Sequence, residues 1–283
     1  MAATTDHVAG AAFLVKAGGT TIGGGTGGTL YIEREMLEHS PATVSYDRTI
    51  IPGVIRWGGG GEFDYLKSAV GVKGCGAAVT FDGNTLLKLL TFNYQVSLSL
   101  KDRTDASSSC VRSVAVGKRS STLSITCNYT DPAAAAATAE AALYTAMSTT
   151  TPTVIPVVVT WGTDQTLTFN AHPIRWELVN ISDQRGETDV AMNIEMAVVG
   201  AVAVADVNND AGLSGVVDAV HTGAGTAPTA VTLLYTDATD THSAYTGSAY
   251  VTSYSLSGDA NGIVAASAAW EGNGSLTKYT YNT

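Results

Sequence analysis

Leu90-Thr91-Phe92-Asn93-Tyr94-Gln95-Val96-Ser97-Leu98-Ser99-Leu100 decides the fold class of this chain. Leu90, Phe92, Tyr94, Val96, Leu98 and Leu100 alternate without a break with Thr91, Asn93, Gln95, Ser97 and Ser99. A period of two sustained over eleven residues means one long strand with a dry face and a polar face. The polar face holds no charge at all, which is unusual for a surface meeting bulk solvent.

Working outward, Lys101–Ser109 reads as a charged loop ending in three serines. Two strands are expected next, Val111–Val116 and Thr122–Tyr129, joined at Gly117-Lys118. Asp131-Pro132 ahead of an alanine run is a helix start, with Asp at the cap and Pro at the first helical position. It predicts a helix over 132–148 whose buried side is marked by Leu143 and Met147. Strands follow at Val154–Trp161, Leu167–Asn180 and Thr188–Val199, then at Ala230–Thr236, Ala249–Ser257 and Ile263–Trp270. Short helices are expected at Tyr31–His39 and Leu213–Val220, and the Gly- and Thr-rich residues 1–30 read as a flexible arm. The fold class is α+β and mainly β, a sandwich or barrel with one flanking helix and a further β-rich C-terminal region. The organisation is an N-terminal arm and extension over 1–75, a central sandwich over 76–200, and a C-terminal region over 201–283. Residues 154–199 and 230–271 repeat one order of strands and turns, which suggests a duplication.

Composition narrows the function classes. The chain has 283 residues and 45% hydrophobic content, enough for a sizeable core and too much for disorder. Twenty-five acids against fifteen bases give a formal charge of −10, which argues against a basic nucleic-acid-binding surface. Charged residues are only 14%, against roughly 25% in an average soluble protein. So sparse a charge suggests that much of the surface ends against other subunits. Three cysteines without a C-x-x-C pair exclude a zinc ribbon and a dense disulfide framework. The longest apolar run, Met196–Ala205, is about half the ~20 residues a membrane helix needs, and no signal peptide is legible. Synthesis in the cytoplasm is the expectation.

Few motifs carry chemistry. Gly23–Gly28 lacks the Lys-Ser/Thr of a phosphate loop. Glu35 and His39 stand four apart, as a metal pair on one helical face would, but no second ligand segment joins them. The sharpest local signal is Asp206-Val207-Asn208-Asn209-Asp210-Ala211-Gly212, whose Asp206, Asn208 and Asp210 have the alternation of a calcium loop. Its sixth position is Ala211 and its twelfth is Val217, neither of which suits that loop, so a polar turn is the competing reading. Cys110 and Cys127 would face each other across a hairpin turning at Gly117-Lys118, or stay reduced as two thiols. No nucleophile motif stands out, and the acids Glu177, Asp183, Glu187 and Asp189 form no evident catalytic pair. No cofactor is expected and the chain does not read as an enzyme.

The order of long alternating strand, loop, strands, alanine-rich helix and further strands resembles the tail tube (major tail) proteins of tailed bacteriophages. Leu90–Leu100, the loop to Val111 and the helix after Asp131 carry this resemblance, together with Ala249–Gly258 and Ala268–Gly274. What it implies is a virion protein, assembled in the host cytoplasm, that forms rings stacked into a conduit for double-stranded DNA. Thr91, Asn93, Gln95, Ser97 and Ser99 would then line the lumen or a subunit interface, and Lys101–Ser109 would contact the next ring. The rings would be hexameric, or trimeric and pseudo-hexameric if 201–283 is a second copy of the fold. Terminator, tape-measure and distal-tail proteins would be neighbours. Competing readings are another virion ring or decoration protein, a secreted calcium-binding β-sandwich adhesin, and a β-sandwich glycoside hydrolase.

Overall fold

The structure is a computed structural model that describes residues 13–17, 20–21, 24–39, 49–64, 66–67, 70–71, 77–86, 89–105, 111–128, 137–151, 153–161, 165–182, 188–206, 229–236, 241–259 and 262–278. The N-terminal strands are β1 (Phe13–Ala17), β2 (Thr20–Thr21), β3 (Gly24–His39), β4 (Thr49–Asp64), β5 (Leu66–Lys67) and β6 (Val70–Gly71). Then come β7 (Ala78–Phe81), β8 (Asn84–Leu86), β9 (Leu89–Asp102), β10 (Val114–Asn128) and the helix α1 (Ala137–Ser148). The rest are β11 (Ile155–Trp161), β12 (Gln165–Ser182), β13 (Thr188–Asp206), β14 (Thr229–Thr236), β15 (Thr241–Asp259), β16 (Ala265–Gly272) and β17 (Thr277–Lys278).

The chain is mostly strand with a single helix among the described residues, as the alternation at 90–100 predicts. One antiparallel sheet of 15 strands carries almost all of it, in the order β3-β4-β16-β15-β9-β10-β13-β12-β11-β7-β8, with β17 and the series β14, β1 and β2 branching from the first half of β15. Strands from 1–75, 76–200 and 201–283 all enter this sheet. The two stretches that echo one another form similar meanders, β11-β12-β13 and β14-β15-β16, each antiparallel throughout.

Several expectations are corrected. Tyr31–His39 is the second half of β3 and no helix: its residues pair with Thr49–Gly58 of β4. Glu35 and His39 therefore lie four strand residues apart, about 13 Å at ~3.3 Å per residue, too far to share a metal from one element. The glycines of 24–28, expected in a flexible arm, are inside β3, and Gly58–Gly61 are inside β4, because their backbone groups are used by the ladders between β3, β4 and β16. Val111–Val116 and Thr122–Tyr129 are not two strands turning at Gly117-Lys118. Val114–Val116 and Thr122–Asn128 belong to one strand, β10, which continues through a bulge between Val116 and Arg119, while Val111 only bridges β4 and Tyr129 lies outside the described residues. Cys127 accordingly faces Leu89 and Met192, is buried and is a free thiol; Cys75 and Cys110 lie outside the described residues. In α1 the buried stripe is Ala139, Leu143 and Ala146, while Met147 is exposed. The expected helix start at 131–132 and the helix at 213–220 lie outside the described residues.

The core lies between two parts of the same sheet. Tyr94 of β9 and Phe169 of β12 stack with ring centroids 5.6 Å apart. Along the sheet these strands are three places apart, about 14 Å at ~4.8 Å per spacing. Such close ring contact requires the sheet to fold over on itself, with Phe92, Tyr94, Val96, Leu123, Ile125 and Met192 facing Val157, Val159, Leu167 and Phe169. α1 packs against β7, β8, β11 and β12. Trp57 of β4 fills the space above Gly247 and Gly272, where an added Cβ would fall inside its indole ring.

Two buried groups couple this core to pH. Burial pushes the Cys127 thiol up to about 12, with the Glu140 carboxylate adding to the effect. Burial also pushes Tyr94 up to about 12, against the opposing pull of a hydrogen bond to Ser121 and the Arg119 charge. In the unfolded chain these groups ionise near ~8.5 and ~10. As pH rises past those values the unfolded state loses protons that the folded state retains, so stability falls. The urea midpoint should stay level from pH 7 to about 8 and decline between about 9 and 12, and Cys127→Ala with Tyr94→Phe should flatten that decline. A midpoint that rises or stays level over the alkaline range would contradict the burial of these two groups.

Candidate functional site

The five polar residues picked out on β9 are the centre of a larger surface. Directly opposed residues in an antiparallel ladder share a face, so register alone assigns the neighbours. One row runs Glu62, Ser267, Ser255, Gln95, Thr122, Ala197 across β4, β16, β15, β9, β10 and β13. The next runs Asp64, Ala265, Ser257, Asn93, Ser124, Glu195 and Arg175, the last on β12. A third joins Asp259, Thr91, Thr126, Asn193 and Glu177, and a fourth Gly60, Ala269, Ser253, Ser97 and Ser120. Seven strands make a face about 29 Å wide at ~4.8 Å per spacing.

Its chemistry is uniform. Hydroxyls, amides and methyls fill the middle, while the charges assigned by register stand toward the margins: Glu62 and Asp64 on β4, Asp259 at the end of β15, Lys101 at the end of β9, and Glu177, Glu195 and Arg175 on β12 and β13. Arg175 is spent on Glu177, Nη2 to Oε2 2.6 Å. Neighbouring hydroxyls bond each other: the Oγ atoms of Ser255 and Ser267 are 2.8 Å apart, and the Thr126 hydroxyl donates to Asn193 Oδ1 at 3.0 Å. A shallow depression of about 320 Å³ opens at the centre between Gln95, Ser97, Ser120, Thr122, Ser253 and Ser255. Two more depressions lie on the same face, one toward the Gly27–Gly61 edge and one at Arg175 and Glu195.

Thr91, Gln95 and Ser97 are exposed on this face and Asn93 is half-buried among its neighbours. Ser99 differs from the other four. Its hydroxyl accepts from Lys118 N–H at 2.7 Å and donates to Lys118 O at 3.0 Å, closing the bulge in β10. Reading β9 alone missed the contributions of β10, β15 and β16. The alternation Ser253, Ser255, Ser257 was a visible signal, but its match to β9 depends on long-range register.

Two projecting regions flank the face. The outer half of the β3–β4 hairpin exposes Tyr31, Ile32, Met36 and Leu37, and β12 exposes Ile174, Trp176 and Leu178. In the β9–β10 connection, hydrogen bonds from Thr104 and then the Arg112 guanidinium hold the Asp102 carboxyl below the usual range. Residues 106–110 of that connection lie outside the described residues.

The calcium-loop candidates are not brought together in the described part. Asp206 is the last residue of β13, its backbone opposite Gln165, and Asn208 and Asp210 lie outside the described residues. Among the described residues no group of three or more His, Cys, Asp or Glu is placed to hold a metal ion. Of the acids considered for catalysis, Glu177 is paired with Arg175, Asp189 is in β13, and Asp183 and Glu187 lie outside the described residues. No helix among the described residues is long and apolar enough to cross a membrane.

No protein-family model matches this chain, and no curated protein matches it in sequence. Among solved structures it is similar to a chain of the anti-feeding prophage (AFP) baseplate, determined by cryo-EM with 6-fold symmetry. The match has a TM-score of 0.34 and 11% identity, and covers 45% of this chain and 89% of that chain.

Proposed function

We propose that this chain is a tail tube subunit of a tailed bacteriophage, a structural virion protein that forms stacked rings around a channel for double-stranded DNA. The observation that carries the reading is the wide, dimpled face of β4, β16, β15, β9, β10, β13 and β12, lined mostly by small polar side chains and alanines and without cations at its centre. DNA moving through a channel must stay hydrated without being held. Each lysine or arginine that neutralises a phosphate adds affinity through counterion release, so a wall of hydroxyls and amides with acidic margins is the chemistry that lets it pass. The role is shape and assembly, with no chemical step.

Ring formation is supported by the open sheet. A long edge strand invites pairing with another chain, and closing edges between subunits removes that hazard. The exposed apolar residues on β3 and β12 stand at different places on one chain, as heterologous head-to-tail contacts require. In this reading Lys101–Ser109 faces the next ring, and terminator, tape-measure and distal-tail proteins are the other partners. Rings are either hexameric or trimeric and pseudo-hexameric, assembled in the host cytoplasm.

Negative-stain electron microscopy of concentrated protein should show hollow tubes, with ring mass a multiple of the 29.1 kDa chain that selects between three and six copies. Rings that close but never stack would move the chain to a terminator or distal-tail role, and a permanent monomer would remove the conduit. A second measurement addresses the wall chemistry. The wild-type protein should show no binding to double-stranded DNA at ~0.15 M salt. Gln95→Lys with Ser97→Lys and Ser255→Lys should bind it, with log K falling against log salt by about 0.9 for each phosphate engaged. Tight salt-dependent binding by the wild type would contradict a non-adhesive wall.

A further inference from the structure

The segment Glu271–Gly274 leaves β16 and ties together two regions that the sheet itself does not join. β16 covers the edge of β4 from Asp64 back to Gly58, where Glu271 is its last partner. At Ile55 the same region of β4 is taken up by the returning limb of the β9–β10 connection: Val111 bridges Ile55, and Arg112 N–H donates to Ile55 O at 3.0 Å. Arg112 is therefore docked on the root of the projecting β3–β4 hairpin.

Its remaining groups all reach elsewhere. Arg112 O accepts from Gly274 N–H at 3.0 Å, Arg112 Nε stands 3.2 Å from Asp102 Oδ2, and Nη1 pairs with Glu271 Oε1. The C-terminal segment completes the tie, since Asn273 Oδ1 accepts from Val114 N–H at 3.0 Å and Gly274 O from Trp57 Nε1 at 2.9 Å. On the opposite limb, Asp102 accepts from Thr104 N–H at 2.8 Å, and Thr104 Oγ1 accepts from Ser113 N–H at 3.0 Å. The Arg112 and Glu271 side chains are 18% and 21% exposed, so this ion pair is shielded far more than an ordinary surface pair. Removing Arg112 leaves the shielded Glu271 carboxylate without this cation, whereas removing Glu271 leaves Arg112 with Asp102 alone.

We propose that Arg112 is a positioning residue that locks the two limbs of the β9–β10 connection, 102–105 and 111–113, to the root of the β3–β4 hairpin through the C-terminal segment, so that these two regions hold one fixed relation. Their use in assembly rests on the tail-tube reading, but the coupling is a property of the single subunit. The pairing of Arg112 with Glu271 spans 159 residues of sequence, and it joins the returning limb of the connection to the closing strand while the Arg112 backbone touches the hairpin. A loop root and a hairpin root fixed together present both surfaces to a neighbour without the entropy cost of ordering each separately.

Hydrogen–deuterium exchange on the unassembled subunit tests this. Arg112→Met keeps the apolar stem and removes the charge. It should raise exchange at 102–104, at 111–114 and in the hairpin at 31–37 and 52–56 together, by about tenfold, while 92–98 and 121–126 keep their wild-type protection. Arg112→Glu combined with Glu271→Arg, in a chain carrying Asp102→Asn so that the new carboxylate meets no like charge, should restore protection in both regions. Loosening of the loop alone, or no rescue by the exchanged pair, would overturn the coupling. If Arg112→Met does not fold, Glu271→Gln and Asn273→Ala provide milder cuts, for which the same joint loosening is expected and a one-sided response contradicts it. Tube assembly is scored separately: a wild type that never forms tubes defeats the tail-tube reading and leaves the exchange result standing.

Discussion

β9 is bonded along both edges, to β15 on one side and β10 on the other, and its two faces meet opposite environments. Phe92, Tyr94, Val96 and Leu98 are buried, while Thr91, Gln95, Ser97 and Ser99 are exposed. A slip of one residue against either neighbour would bury the serines and expose two aromatic rings, so burial holds the register firmly. The rest of the sheet inherits that constraint. Every row of the polar face is counted outward from β9, and the stacking of Tyr94 on Phe169 sets where the sheet folds over.

This arrangement gives a chain with so few charges a cohesive core and, in the tail-tube reading, a face that does not hold DNA. The core side gathers aromatic and branched residues from distant strands, whereas the centre of the opposite side carries hydroxyls and amides that bond one another, with its cations at the margins. Serine and threonine suit such a face because they pack at strand spacing and satisfy their own hydroxyls across the ladder, as Ser255 does with Ser267. Lysines here would make the same surface a DNA trap.

Strands with an alternating side-chain pattern were legible in the sequence, which is why β9, β11, β12 and β16 fall within two residues of where periodicity puts them, whereas β13 runs on past Val199 to Asp206 and β15 begins at Thr241, well before Ala249. β3 and the second half of β4 were not, for two different reasons. Glycine runs have no side-chain pattern to read, and at 58–61 the strand exists because β16 and β3 supply partners for its backbone. At Tyr31–His39 mixed charged and apolar residues imitate a helical face, and only pairing with β4 settles the matter. The bulge at Gly117-Lys118 was misread as a turn because glycine beside lysine marks both. For the candidate surface, the β9 residues were visible from alternation alone. Their partners on β15, some 160 residues later, and the tie at Arg112 depend on register between distant segments, which no local pattern encodes.

The most direct measurement of the central claim is the accessibility of Ser97 before and after assembly. Ser97→Cys would be placed in a chain carrying Cys75→Ser and Cys110→Ser, labelled with a biotin maleimide and probed with streptavidin. Tyr144→Cys on the exposed side of α1 serves as the external control. If the polar face lines the channel, both positions bind streptavidin in the free subunit. In intact tubes, position 97 still takes the small reagent but no longer reaches streptavidin, whereas position 144 reaches it in both states. Capture of position 97 on the outside of intact tubes would contradict a channel-lining face.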